Sequence, residues 1–355
     1  MPLAALKRLG SSLLTPRSQS PTDGASKVTK ETLFPPIPSD DDCNHDCAAC
    51  PVSDGTGSGY GRAFDKIGTD SSDPLWGQVK AYGTHAIVAT GKTDWIRDVE
   101  DIKGSVMAAL AAKKKAVDNG RLMISASNLP PPQEYFEAHG GEGRDAPTDV
   151  ILLPAFTVLE GVTPADADEI VRCYINPGPT SSTLLPPPPP LAEEPAVAED
   201  TPAADPAEIA PTSAPSTTAE TALSTTLPTT LKSHPYPHAF LILICSHRHR
   251  DARCGISAPI LSKEFEKHLR SVHLWRDHSD RRPGGASVVF INHVGGHKYS
   301  ANVIIYRKED GQGIWLARVA PRHVEGIVKH TIVEGRVNTE MVRGGFNRRT
   351  GATSW

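Results

Sequence analysis

The chain has 355 residues, which is enough for two domains of ordinary size. Its formal net charge of −4 hides an asymmetry, because the part from Lys232 onward carries 20 Lys and Arg against 10 Asp and Glu. No apolar run approaches the roughly 18 residues of a transmembrane helix, so we expect no membrane span.

The N-terminal segment, MPLAALKRLGSSLLTPRSQSPT, is basic, rich in serine and leucine, and free of acidic residues. This composition is typical of a mitochondrial presequence and also of a disordered terminus. We predict a disordered N-terminus over residues 1–30, with a presequence as one interpretation.

Three cysteines follow in the stretch CNHDCAAC, at Cys43, Cys47 and Cys50. The six cysteines of the chain are too sparse for a disulfide scaffold, so we expect reduced thiols or metal ligands. The Cys47–Cys50 spacing is that of a redox dithiol or of half a zinc site. The preceding acidic run SDDD disfavours thiolates, and Cys173 is the one other cysteine in this half of the chain. We interpret the three cysteines as candidate redox thiols without an assigned role.

Residues 31–177 predict an N-terminal α/β domain, because strand and helix patterns alternate along them. A glycine, Gly120, ends the first long helical pattern. Apolar runs predict strands over 84–90, 121–127 and 149–161, and helical periodicity predicts helices over 94–120 and 163–175.

A linker is predicted over residues 178–234. It contains five consecutive prolines, Pro186 to Pro190, followed by sequence rich in Ala, Pro, Thr and Ser with almost no large apolar side chains. Such a segment cannot bury enough apolar surface to offset its ordering entropy. We therefore expect a disordered spacer between two domains.

Residues 235–340 predict a second α/β domain with the element order β-α-β-β-β-α. This order is close to the thioredoxin-like arrangement with one strand or helix lost. Residues 341–355 are expected to form a C-terminal tail. The predicted strands are 238–245, 286–294, 300–307 and 313–319, and the predicted helices are 257–275 and 321–335.

Four side chains capable of metal ligation follow two strands of this domain. Cys245 and Cys254 lie in the stretch CSHRHRDARCG, and His293 and His297 lie in HVGGHKY. A right-handed β-α-β unit makes the two strands parallel, with both carboxyl ends at one edge of the sheet. We therefore predict that two thiolates and two imidazoles converge there.

Two sulfur and two nitrogen donors suit zinc or an iron–sulfur cluster. Zinc fingers favour cysteines separated by about two to four residues. Eight residues separate Cys245 from Cys254, and no histidine follows Cys254 to complete a Rieske motif. The residues alone leave both metal groups open.

The motifs CSHRHRDARCG and HVGGHKYSANVIIY together resemble those of the fungal and plant sucrase/ferredoxin-like proteins. With CNHDCAACP, the resemblance covers most of the chain outside the linker. It implies a thioredoxin-like ferredoxin fold for residues 235–340. It also implies that Cys245, Cys254, His293 and His297 hold a 2Fe–2S cluster, whereas the residues alone leave zinc as the alternative.

The chain ends in ATSW. A terminal aromatic residue such as Trp355 resembles the tail signal by which client proteins engage the cytosolic iron–sulfur targeting complex. That signal indicates the cytoplasm, whereas the N-terminal segment indicates the mitochondrion. Both compartments stay open.

We predict a redox protein that transfers single electrons, or senses redox state in thiol homeostasis, together with a redox partner protein. An electron-transfer protein is expected rather than a stand-alone enzyme, because no nucleophile–base set and no carboxylate pair for sugar hydrolysis is visible. The alternatives are a zinc-stabilised structural or interaction protein and a thiol-disulfide oxidoreductase. Nucleic-acid binding is not expected, since the basic C-terminal half lacks interleaved aromatic residues and a known motif.

Overall fold

The computed structural model describes residues 28–38, 64, 67, 72–135, 146–186 and 228–355. Within them, the strands form one mixed sheet with helices packed on it, which confirms the predicted α/β class. In chain order the strands are Thr84–Ala89 (β1), Leu122–Ser127 (β2), Thr148–Leu153 (β3), Thr157–Val162 (β4), Lys232–Pro235 (β5), Phe240–Cys245 (β6), Ala286–Ile291 (β7), Val303–Arg307 (β8), Gln312–Leu316 (β9), Val342–Asn347 (β10) and Ala352–Thr353 (β11). Their order across the sheet is β11-β10-β9-β8-β6-β7-β2-β1-β3-β4-β5.

One long helix and several short ones connect these strands. The helices are Lys30–Leu33 (α1), Val106–Ala112 (α2), Ala167–Ile170 (α3), Ala252–Ser271 (α4) and Val324–Gly326 (α5). The π-helices Val171–Ile175 and Ile327–Glu334 continue α3 and α5. None of the helices in the described ranges combines the length and apolarity needed to cross a bilayer.

The same arrangement occurs twice along the chain. The order β1-α2-β2-β3-β4-α3 recurs as β6-α4-β7-β8-β9-α5, and only the first two strands of each set are parallel. The second set has the β-α-β-β-β-α order expected from the sequence. We call the first set with β5 the N-terminal lobe, and the second set with β10 and β11 the C-terminal lobe.

The two lobes join edge to edge through β2 and β7, which pair antiparallel at Ser127 and Ile291. An asparagine follows each strand. The side chain of Asn128 accepts from a backbone amide of β7, and the side chain of Asn292 accepts from a backbone amide of β2. Because the paired residues are the last of each strand, the carboxyl ends of β2 and β7 meet at this seam.

Apolar side chains form three main cores. Each lobe has a core under its own helices, around Leu110 in the N-terminal lobe and Phe265 in the C-terminal lobe. A third core lies on the other face of the sheet and is shared, since Ile87 of β1 belongs to it together with Leu243 and Trp315 of the C-terminal lobe. The shared core fixes the lobes against each other.

A polar network crosses the shared core. The hydroxyl groups of Tyr82 and Tyr306 lie 2.9 Å apart, and His85 Nδ1 is 2.9 Å from the Tyr306 hydroxyl. The other ring nitrogen of His85 is 2.8 Å from Ser125 Oγ, and Trp315 donates its indole N–H to Tyr82. Burial lowers the pKa of His85 to about 3, so this histidine is neutral and connects the lobes through hydrogen bonds.

The residues 28–38, which we call the N-terminal strap, pack on the C-terminal lobe. Leu33 and Phe34 are buried in the core under α4 and α5. Asn347 of β10 donates to the Leu33 carbonyl, and Pro36 forms a β-bridge with Val337. The N-terminal domain was predicted over residues 31–177. Its first residues, which belong to the strap, instead complete the C-terminal lobe.

Two predicted elements are wrong in extent. The helix predicted over 94–120 is restricted to α2, because Gly104 has a φ of 75° and interrupts it. The apolar pattern before it comes from Trp95 and Val99, which pack on the core from a loop and a 3-10 turn. The strand predicted over 149–161 is β3 and β4, because the chain turns between them at Phe156, whose φ is 52°.

The predicted C-terminal tail over 341–355 is also wrong. β10 pairs with β9, and β11 pairs with β10. Two glycines, Gly344 and Gly345, hide this strand by interrupting its apolar alternation. A Cβ atom at Gly345 would lie 2.1 Å from the Gly313 carbonyl oxygen, so the close approach of the two strands requires glycine.

The described ends of the predicted linker over 178–234 lie on the lobes. Ser181 donates its amide to Gly83, Leu185 donates its amide to Arg348, and β5 pairs with β4. The residues between 186 and 228 lie outside the described residues, as do residues 1–27 of the predicted disordered N-terminus. Its last residues are ordered, because Thr29 caps α1 and Lys30 begins it.

Candidate metal centre

Two loops at one edge of the C-terminal lobe build the site. β6 and β7 are parallel, and their register places Cys245 beside Ile291. The loops that leave these strands therefore start side by side, as the sequence predicts. The first loop leads into α4, and the second leads into the 3-10 turn His297–Tyr299.

Three of the four predicted ligands come together. The ligand atoms of Cys245, Cys254 and His293 all lie within 4.8 Å of one another. Cys245 Sγ is 3.9 Å from His293 Nδ1. The cysteines are 1% and 0% exposed, and His293 is half-buried, so the three donors are largely shielded from solvent.

The fourth predicted ligand, His297, lies at the edge of this group. It is exposed, and its ring centroid is 5.5 Å from that of His293. Gly295 and Gly296 between the histidines have positive φ angles, which turn the loop tightly. We call Cys245, Cys254, His293 and His297 the candidate metal centre.

The start of α4 positions Cys254. Asp251 caps the helix by accepting from the amide of Arg253, which places Cys254 in the first turn. The following residue permits close packing, because a Cβ atom at Gly255 would lie 2.4 Å from Arg248 Cβ. The loop folds back over the start of α4, which brings Cys245 and Cys254 together although eight residues separate them in the sequence.

The two thiols perturb each other. The Cys245 thiol hydrogen-bonds to Cys254, which lowers the pKa of Cys254 to about 5 and raises the pKa of Cys245. The backbone amides of Val294 and His247 donate toward Cys245 and favour its thiolate. Amide donors that face cysteine sulfur also tune the potentials of iron–sulfur groups.

Arg343 of β10 holds the second loop, a role that the sequence did not predict. Its Nη1 donates to the Gly295 carbonyl and to the Asn302 side chain, both at 3.0 Å. The guanidinium is buried and lies against the rings of Tyr299 and Trp315. No pattern marked this residue, because its strand was interpreted as a tail.

The N-terminal lobe holds the first loop through contacts that the sequence also did not predict. Ser246 Oγ donates to the Thr93 carbonyl, and His247 Nε2 is 2.9 Å from the Trp95 carbonyl. The Nδ1 atom of His247 accepts from the His293 amide at 3.2 Å, so the proton of the neutral ring is on Nε2. His247 thus links the N-terminal lobe to both loops of the candidate metal centre.

The other predicted site residues lie away from this centre or outside the described residues. Cys173 is half-buried in the N-terminal lobe, with its Sγ 3.8 Å from the Pro228 carbonyl oxygen. Trp355 packs against Tyr82 and Phe346, at ring centroid distances of 5.0 and 6.3 Å. The structure does not describe Cys43, Cys47 and Cys50.

The donor set fits a metal group with thiolate and imidazole ligands. In a structural zinc site, four protein donors surround one metal ion at about 2.0 to 2.3 Å from it. His297 instead lies apart from the other three donors, at the exposed edge. Zinc also accepts three protein ligands and a water molecule, so the three close donors with His297 beside them are compatible with zinc and with a two-iron group.

Comparisons with known proteins cover this centre. A family model described as sucrase/ferredoxin-like matches residues 75–344. The chain is similar to actin patches distal protein 1 of Saccharomyces cerevisiae, at 32% identity over 311 residues, which is 83% of each chain. It is also similar to altered inheritance of mitochondria protein 32 of Clavispora lusitaniae, at 44% identity over 107 residues, or 30% of this chain and 35% of that protein. No solved structure matches the chain.

Proposed function

Because the chain belongs to the sucrase/ferredoxin-like family, we propose that it is a redox protein whose candidate metal centre holds one 2Fe–2S cluster. In this proposal the protein exchanges single electrons with a partner protein. The observation that carries the proposal is the convergence of two cysteines and His293 within 4.8 Å, from two loops at one sheet edge. Among the described residues, no other group of His, Cys, Asp and Glu with this geometry occurs.

The ligand set determines the chemistry that is available. When bound, a 2Fe–2S cluster with two thiolate and two imidazole ligands takes up and releases one electron, at a potential above that of all-cysteine ligation. The buried guanidinium of Arg343 and the amides that face Cys245 favour additional negative charge at this place. The protein residues around the site therefore favour the reduced state.

His297 marks the side at which electrons enter and leave. The two cysteines are buried, whereas His297 is exposed beside Lys298, and Arg248 is exposed on the neighbouring loop. Lys298 is paired with Asp73, so the positive charge that a partner meets on this side comes mainly from Arg248. We expect the contact surface of the redox partner to be acidic.

Anaerobic purification tests the proposal. We expect a coloured protein with about two iron and two sulfide per chain, and an EPR signal after one-electron reduction. Cys254→Ser should remove the colour, whereas Cys173→Ser should keep it, because Cys173 lies in the other lobe. Colourless, iron-free wild-type protein contradicts the proposal, and stoichiometric zinc in its place identifies the zinc-stabilised alternative.

Replacing each histidine tests its role as a ligand. His293→Cys and His297→Cys should retain a cluster and lower its potential, because an anionic thiolate replaces a neutral imidazole. Protein-film voltammetry measures that shift. Variants with the wild-type potential and visible spectrum would show that these histidines are not ligands.

A thiol-disulfide oxidoreductase is the second candidate. The proximity of the two cysteines favours it, because their sulfur atoms lie within 4.8 Å of each other and neighbouring thiols can form a disulfide. In that case thiol exchange activity survives the double substitution of His293 and His297 by Ala. An electron-transfer protein loses its iron and its activity together in the same variant.

A further inference from the structure

A cavity of about 380 Å³ lies at the carboxyl ends of β1 and β2, in the N-terminal lobe. Its walls come from the end of β1, the loop and 3-10 turn before α2, the start of α2, the segment after β2, and the segment that leads into β3. In open α/β sheets, ligands bind outside the carboxyl ends of strands. The cavity is therefore at the place where this fold class puts ligand sites.

The cavity occupies the position that the candidate metal centre has in the other lobe. Ala89 is the last residue of β1, as Cys245 is the last residue of the equivalent strand β6. Leu129 is the second residue after β2, as His293 is the second residue after the equivalent strand β7. The repeated fold thus has apolar residues where the C-terminal lobe has metal ligands. The residues that line the cavity include no Cys, His, Asp or Glu.

The lining indicates the chemistry of an occupant. It is mostly apolar, with Trp95, Ile102, Met107 and Pro147 among its residues, and its charged groups are two lysines, Lys92 and Lys103. Cavities of this size and composition bind small organic molecules. Since a 150 Å³ cavity holds benzene, about 380 Å³ accommodates roughly 15 non-hydrogen atoms.

We propose that this cavity binds a compact apolar carboxylic acid, with its hydrocarbon body against Trp95 and Met107 and its carboxylate at Lys103. Lys103 is exposed at the mouth, so the carboxylate stays in contact with water while the apolar body is buried. The inference goes beyond the proposed function, and it does not depend on the presence of a metal group.

The occupant contacts the candidate metal centre indirectly. Trp95 lines the cavity, and its backbone carbonyl lies 2.9 Å from His247 Nε2. The rings of Trp95 and His247 are 5.8 Å apart, edge to face, and His247 accepts from the His293 amide. An acid bound against Trp95 therefore lies two side chains away from a predicted ligand.

Calorimetry with the full chain tests the proposal, with 4-phenylbutyrate as the probe and 4-phenylbutanol as its uncharged counterpart. We expect one site per chain with a dissociation constant of about 1 mM or lower for the acid. The alcohol should bind about two- to fivefold more weakly, because it lacks the charge that Lys103 attracts. Absence of saturable binding several-fold above that concentration overturns the proposal, as does equal binding of acid and alcohol.

Substitutions locate the probe. Ala146→Phe places a ring at the half-exposed wall of the cavity and should abolish binding. Lys103→Glu should weaken binding about five- to tenfold, whereas Lys115→Glu makes the same charge change at an exposed position outside the cavity lining and should leave it unchanged. Binding that survives both Ala146→Phe and Lys103→Glu places the acid elsewhere and overturns the proposal.

Tryptophan fluorescence gives an independent readout. The probe should change the emission of the wild-type protein, and Trp95→Phe should remove that change while calorimetric binding remains, because Trp95 lines the cavity. A fluorescence response that persists in Trp95→Phe overturns the placement of the acid. None of these measurements requires iron, so their failure leaves the metal content of the wild-type protein as a separate result.

Discussion

Acid should destabilise this fold through one buried histidine, His85. Its ring nitrogens bond to Tyr306 of the C-terminal lobe and to Ser125 of β2, and the ring is fully buried. Desolvation, together with the charge of Arg121, lowers the pKa of His85 from 6.5 to about 3. The unfolded chain therefore binds a proton in a pH range where the folded chain does not.

The sign and size of the effect follow from linkage. A pKa that is lower in the folded state gives stability that is present above pH 6.5 and is lost as pH falls toward 3. Between about pH 7.5 and pH 5, the difference in proton binding by this group removes about 2 kcal/mol from the free energy of unfolding. That is a large share of the stability of an ordinary domain.

Urea unfolding of the wild type and of His85→Gln over this pH range is the assay. Glutamine keeps a donor and an acceptor but does not titrate, so the advantage of the wild type should shrink by about 2 kcal/mol on going from pH 7.5 to pH 5. Other histidines with lowered pKa values, such as His323 and His238, contribute equally to both proteins. A difference that stays constant with pH refutes the reasoning.

Three further outcomes are expected. Phe34→Ala should lower the free energy of unfolding by about 3 to 5 kcal/mol in urea titrations, because the ring is fully buried under α4 and α5; a loss below about 1 kcal/mol would mean that the strap is not docked in solution. Gly296→Ala should reduce the iron content of the purified protein far more than Gly295→Ala. Both positions have positive φ, but only at Gly296 would an added Cβ lie 2.3 Å from the Arg343 guanidinium. Equal losses of iron in the two variants would exclude Arg343 as the support of the loop. Deletion of Trp355 should lower cluster occupancy in cells but not in chemical reconstitution, and equal occupancy in cells would remove the tail-signal interpretation.

Local pattern was sufficient to predict β6 to β9 and the approach of three predicted ligands, but not β10 and β11. Two apolar runs, one ending at Cys245 and one preceding His293, predict strands whose lengths match the structure within a few residues. The β-α-β rule predicts that these strands are parallel. That rule needs no knowledge of distant contacts. It placed three of four donors together because they follow the ends of adjacent strands.

Contacts between distant segments were beyond such patterns. Arg343 reaches the second loop of the site from β10, 48 residues after Gly295, and the Trp95 carbonyl and Phe34 reach the C-terminal lobe from segments far away in the sequence. The repeat was hidden as well, because the two lobes share topology but not ligands. One signal was available: α3 and α5 both follow a 3-10 turn that opens with proline, at Pro164 and Pro321.

The N-terminal strap has a consequence for the order in which the protein can mature. The residues 28–38 leave the ribosome long before β10, whose Asn347 side chain bonds to Leu33 across 314 positions. Until β10 and β11 are synthesised, the core that buries Leu33 and Phe34 is incomplete. The nascent chain then exposes apolar side chains both in the strap and in the C-terminal lobe. Substitutions in the strap should therefore change how strongly the protein depends on chaperones during translation. They should do so although the strap is far in sequence from the cysteines and histidines of the lobe that it completes.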